Sequence, residues 1–147
     1  VGLKNEIMKT RIVLLFLSLL CISACAQKNK KAIALTDFTI TQTKSIKKTG
    51  TQLILKQVIS EARCPEGLEC IWAGEAQANI STYKNGKWID ENILTFSFKT
   101  EAENKEWISK QLSIPITKIK SVVLFPYPKD GQKIDPKSYV IKVAINQ

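Results

Sequence analysis

From Phe38 to Ile145 the apolar residues recur mostly at every second position, the spacing of a strand with one buried face. Phe38 and Ile40 alternate with Asp37, Thr39 and Thr41. After Gly50, Leu53, Leu55 and Ile59 fall on one face of an extended segment and Ile54 and Val58 on the other. The clearest alternation places Cys70, Trp72, Gly74, Ala76, Ala78 and Ile80 opposite Glu75, Gln77, Asn79 and Ser81. Leu94, Phe96 and Phe98 predict another strand, Val122 to Phe125 a further one, and Tyr139, Ile141, Val143 and Ile145 the inward face of the last. Between Tyr83 and Trp88 stand Asn85 and Gly86, the pair best suited to a type I′ hairpin turn, where both central residues need positive φ. Pro126-Tyr127-Pro128-Lys129-Asp130-Gly131 is a turn-rich connection. The pattern predicts an all-β fold of about six to eight strands, an antiparallel β-sandwich, immunoglobulin-like or related, with a small barrel as runner-up. Glu101 to Leu112 is ambiguous. Its early glutamates and later Lys110 suit a helix dipole, yet Trp107 and Leu112 make a weak stripe, and a strand over Glu106 to Leu112 fits as well.

Composition then narrows the chemistry. The chain has 147 residues and no histidine. Imidazole-based acid-base catalysis, Ser-His-Asp and Cys-His nucleophile activation, and the commonest metal ligand are all excluded. No cofactor or metal motif is expected. The formal charge of +9 is spread over scattered lysines with acids among them, which reads as a solvated basic surface and not as a nucleic-acid site.

The first residues read as an address. Lys9 and Arg11 precede an apolar run of about eleven residues, Ile12 to Ile22, too short for a membrane span of about 20. Residues 1–24 therefore read as a secretory signal, with Val1 to Ile7 as residues upstream of the signal's own Met8. Ile22-Ser23-Ala24-Cys25 resembles the bacterial lipobox, which implies cleavage before Cys25 and acylation of that cysteine, with palmitate-like chains as the membrane anchor. Residues 25–34 would form the lipidated N-terminus and a basic tether, and residues 35–147 the β-sandwich domain. The expected location is the bacterial cell envelope, at the outer membrane or the periplasmic face.

Of four cysteines, Cys21 leaves with the signal and Cys25 takes lipid, so Cys64 and Cys70 should pair in an oxidising compartment. Such a short loop gains only about 2 kcal/mol from closure. The pairing also removes both remaining thiols as nucleophiles.

The distinctive stretch is Arg63-Cys64-Pro65-Glu66-Gly67-Leu68-Glu69-Cys70-Ile71-Trp72-Ala73-Gly74. It resembles a family of small, mostly uncharacterised bacterial secreted proteins and lipoproteins that carry R-C-P-x4-C-x-W-A-G, a late P-x-P turn and a final Tyr-containing strand. The resemblance spans most of the chain after the signal and implies a similar fold and export; it brings no activity.

Two roles suit this stretch. In the first, Trp72 packs on the disulfide to seal the sandwich core, and Gly74 leaves room for a bulky neighbour. In the second, the stapled loop presents Arg63, Glu66, Leu68 and Glu69 as a rigid recognition tip for an envelope protein, as protease-inhibitor loops do. Tyr83 and Trp88 across the hairpin form a candidate aromatic platform for glycans. Catalysis would have to use carboxylates such as Glu61, Glu66, Glu69 or Glu75 in a glycosidase, the least favoured class, because exposed loop carboxylates stay ionised. The expected function is non-enzymatic: binding or scaffolding by a lipid-anchored protein.

Overall fold

The computed structural model describes residues 36–146. The expected signal, Cys25 and the expected tether lie outside the described residues. Six strands form two antiparallel three-stranded sheets. One contains β1 (Phe38–Ile40), β6 (Val140–Ile145) and β5 (Ile119–Phe125), in the order β1-β6-β5. The other is a meander of β2 (Thr51–Glu61), β3 (Ala76–Lys84) and β4 (Lys87–Phe96). The inner faces of the two sheets share one core, in which Leu55, Ile80, Leu124, Ile141 and Val143 are almost fully buried. The predicted all-β sandwich is the observed fold.

The hairpin forms where Asn85-Gly86 places it. Asn85 has φ 51° and Gly86 φ 79°, and Tyr83 pairs with Trp88 across the turn. Ala76, Ala78 and Ile80 are buried as their alternation predicts, and so are Tyr139, Ile141, Val143 and Ile145.

The alternation fails at three places. In β2 the register shifts between Leu55 and Gln57 and again between Val58 and Ser60. Each bulge puts two residues opposite one and reverses the facing of the residues beyond it. Val58 consequently packs on the core with Leu53 and Leu55, while Ile59, expected beside them, faces solvent. The second failure is Phe98. β4 ends at Phe96, and the Thr100 hydroxyl donates to Thr95 O and accepts from Ser97 N–H at 3.1 Å, turning the chain into a helix. Phe98 is left 74% exposed. The third failure concerns Cys70 to Gly74, which lie outside any strand because β3 begins at Ala76.

Glu101–Leu112 is a helix, α1, ended by Ser113 in the left-handed conformation. It packs against β5 and β4, with Ile108 buried and Trp107 and Leu112 partly so. Its inner stripe includes a buried polar residue, Asn104, whose Nδ2 donates to Thr95 O at 2.9 Å. That asparagine is why the stripe reads poorly in the sequence: a hydrogen bond to strand backbone substitutes for an apolar contact.

Candidate functional site

β2 and β3 do not end cleanly at Glu61 and Ala76. Ala62 N–H donates to Glu75 O at 2.9 Å and Cys64 N–H to Ala73 O at 2.8 Å, so the ladder narrows into a neck. Gly74 makes the neck possible. It has φ +68°, and a Cβ there would lie 1.8 Å from Ala62 O. Glycine is thus required for close approach of two backbones, and the role foreseen for it, space beside a bulky side chain, is replaced.

Beyond the neck, Cys64 and Cys70 form the expected disulfide, with Cα atoms 6.0 Å apart. Leu68 N–H donates to Pro65 O at 3.2 Å, closing a turn at Gly67. The loop is docked as well as stapled: Glu66 N–H donates to Pro128 O at 2.9 Å, in a parallel bridge with Lys129. Glu66, Leu68 and Glu69 face solvent.

Arg63 is not part of that tip. It is 7% exposed and points inward, where four acceptors take it up. Nε donates to Glu61 Oε1 at 2.8 Å, Nη2 to Glu61 Oε2 and to Pro126 O, and Nη1 to Leu124 O at 2.7 Å. The Tyr127 ring lies 4.6 Å from its guanidinium carbon. Burying a guanidinium is costly unless charge and donors are both matched, and this arginine has a bidentate carboxylate, two carbonyls and a ring face. Arg63 therefore joins the loop neck to the end of β5 and is corrected from recognition residue to anchor.

Trp72 is corrected in the opposite sense. Expected to seal the core on the disulfide, it is 68% exposed, and Ile71 beside it is fully exposed. Both stand past Cys70 in the loop, where the neck has already departed from strand geometry. The stapled loop thus displays Leu68, Ile71 and Trp72 as an apolar surface.

Nothing in the sequence pattern marks Glu61 and Tyr127 as partners of Arg63, or Tyr139 as a partner of Glu61. The spacing leaves only a trace for Glu61, because residues two apart on extended backbone share a face. Tyr139 Oη donates to Glu61 Oε2 at 3.1 Å. Burial, with the Glu61 charge and that hydrogen bond behind it, pushes the Tyr139 phenol from 10.0 up to about 12. Because the folded value is the higher one, the stability this proton supplies is fully present below about pH 10 and is lost as pH rises through about 12. A Tyr139→Phe variant has no such proton. Its urea-unfolding free energy should fall less steeply than the parent's between these limits, since lysine titration is common to both; parallel curves would refute the assignment.

A cleft of about 340 Å³ opens between the loop neck, β5 and the start of α1. Ala73, Phe96, Val122 and Leu124 supply apolar walls, Phe98 stands on its lining, and the buried Arg63 and Asn104 add polar atoms. This is the volume and chemistry of a small recognition cleft.

No protein-family model, curated protein or solved structure matches this chain. The site's own chemistry therefore carries the functional reading.

Trp88 is 59% exposed on β4, opposite the half-buried Tyr83. On the same sheet face Glu91 accepts from Asn79 Nδ2 at 2.6 Å and Ser81 Oγ at 2.7 Å, and the Ser81 bond first, then that of Asn79, lowers its carboxyl below the ordinary range. Of the carboxylates considered for catalysis, Glu61 is held by Arg63, Glu66 and Glu69 face solvent on the loop, and Glu75 is half-buried at the neck. Among the described residues no three His, Cys, Asp or Glu side chains cluster as a metal would need, and no helix is long and apolar enough to cross a membrane.

Proposed function

We propose that this is a lipid-anchored protein of the bacterial cell envelope that works by binding a protein partner through its stapled loop. Acyl chains on Cys25 would hold it at the membrane, and the basic tether would set the domain off from the surface. The observation that carries the binding role is the Ile71-Trp72 pair, exposed on a loop held by a disulfide, a backbone bridge to Pro128 and the Arg63 anchor. Exposed tryptophan on pre-ordered backbone is what interface hot spots use, because little entropy remains to be lost on contact. Trp72→Ala should reduce recovery of a cross-linked partner from envelope membranes about tenfold or more while leaving unfolding stability nearly unchanged, as an exposed hot spot requires. Equal recovery from variant and parent would remove the loop from the account.

A second reading, glycan binding, has one observation in its favour: Trp88 stands 59% exposed on the sheet face that carries Tyr83 and the Glu91 network. It requires glycan-array signals from the parent that disappear in Trp88→Ala. Signals of equal strength in both would discard the platform.

A further inference from the structure

Lysines scattered along the sequence are gathered by the fold. Phe38 of β1, Thr51 of β2 and Leu112 of α1 line one cleft, so both sheets and the helix end together at the pole opposite the loop neck. Gly50 N–H donates to Asn85 Oδ1 at 2.9 Å and Asn85 N–H to Gly50 O at 2.8 Å. These bonds tie the segment carrying Lys44, Lys47 and Lys48 to the hairpin turn at this pole. Lys84 and Lys87 flank the turn, Lys110 stands in the last turn of α1, and Lys118 and Lys120 stand at the start of β5. All eight lysines are exposed. The acids at this end are Asp37, Asp90 and Glu91.

The neck pole is balanced the other way. Its loops and helix start, residues 61–75, 98–105 and 126–138, together hold eight acids against Arg63 and five lysines. Exposed apolar side chains also stand among the lysines of the far pole: Ile46 beside Lys47, Trp88 beside Lys87, and Ile116 close to Lys118. The described chain begins there too, because Asp37 Oδ1 accepts from Ile145 N–H at 2.8 Å and Ile145 pairs with Ile119. The ten residues between Cys25 and Thr36 include Lys28, Lys30 and Lys31 and reach at most about 35 Å.

We propose that the lysine-rich pole docks on the anionic phospholipid headgroups of the membrane that carries the anchor. This inference rests on the reading of the protein as membrane-anchored and says which way the domain stands on that membrane. Each lysine near an anionic leaflet strengthens attachment about fivefold, and a short tether keeps the pole within reach, so weak contacts add. A soluble polyanion would be held by the lysines alone. Trp88, Ile46 and Ile116 among them favour lipid, because the headgroup boundary takes up an apolar body as well as a charge. β2 runs from this pole to the neck over eleven residues, so the stapled loop is held about 35 Å from the surface, facing a partner.

The test transfers the full chain, extracted from membranes and weighed intact, into vesicles of phosphatidylcholine with or without one-fifth phosphatidylglycerol, and follows lysine acetylation by mass spectrometry. A lysine held at an anionic surface keeps its proton and yields the reactive amine about fivefold less often. Acetylation of Lys84, Lys87, Lys118 and Lys120 should slow by that factor on the anionic vesicles, while Lys133 and Lys137 keep their rates. At 1 M salt, where the screening length is about 3 Å, the slowing should vanish. Lys87→Glu with Lys120→Glu should abolish it at Lys84 and Lys118. Lys133→Glu with Lys137→Glu, the same change in net charge at the other pole, should leave it intact. Equal rates on both vesicles, slowing at both poles, or slowing that survives Lys87→Glu with Lys120→Glu would overturn the proposal. Slowing by soluble polyphosphate with none on vesicles would assign the pole to a polyanion, and slowing in neutral detergent micelles would assign it to a second copy; either result overturns it too. The two readings fail separately: an acylated chain with equal rates removes the docking pole alone, and an unacylated chain protected on anionic vesicles removes the anchor alone.

Discussion

Arg63→Ala will destabilise the fold by about 3–5 kcal/mol, the range for breaking a buried ion pair by removing one partner. Several losses coincide. The Glu61 carboxylate, 20% exposed in its side chain, keeps only the Tyr139 hydroxyl and the backbone N–H of residue 63, while Leu124 O and Pro126 O lose their donor and Tyr127 loses the cation on its ring. An exposed pair would cost only about 0–1 kcal/mol, so a urea-unfolding difference in that lower range would show that the anchor carries no weight. Arg63→Lys should fall between the two. An ammonium keeps the charge but cannot reach a carboxylate bidentately and two carbonyls at once. Combining Arg63→Met with Glu61→Gln should recover part of the loss, since the unpaired charge goes with the pair.

Gly74→Ala should be at least as damaging, at about 4 kcal/mol or more, which places it among the rare severe substitutions. Two costs add there. The backbone sits at φ +68°, which costs an L-residue about 1–2 kcal/mol, and the added Cβ would fall 1.8 Å from Ala62 O, an overlap relieved only by opening the neck. Gly67 separates these terms, because it has φ +91° and a Cβ placed there would meet nothing within 4 Å. Gly67→Ala should therefore show the conformational cost alone. If both alanine variants unfold at the same urea concentration, the close approach at the neck is not what requires glycine.

The motif from Arg63 to Gly74 shows where reading a chain by its residues stops. Its disulfide is legible because one pairing remains if, as expected, Cys21 leaves with a signal and Cys25 carries lipid. The side on which each residue would lie was not. Period-two logic carries Trp72 and Gly74 onto the core face of β3, but β3 begins at Ala76, six residues after the alternation starts at Cys70, and the neck at Gly74 turns Trp72 to solvent. Ile59 was misplaced for a related reason, since a bulge reverses every side chain beyond it and leaves no mark in hydrophobic spacing. Arg63 looked like surface because arginine usually is, and its burial depends on Leu124, Pro126 and Tyr139, which are remote along the chain.

Local chemistry alone determined the strands with unbroken alternation and the Asn85-Gly86 turn, each of which needs information from only a few neighbouring residues, whereas the Cys64–Cys70 bond followed from the cysteine inventory of the chain and the expected fates of Cys21 and Cys25. Tertiary structure decided which apolar residues were spare and which arginine was not. Burial of Arg63 required a carboxylate, two carbonyls and a ring to arrive from separate segments, and exposure of Ile71 and Trp72 followed from the neck that this anchor holds in place.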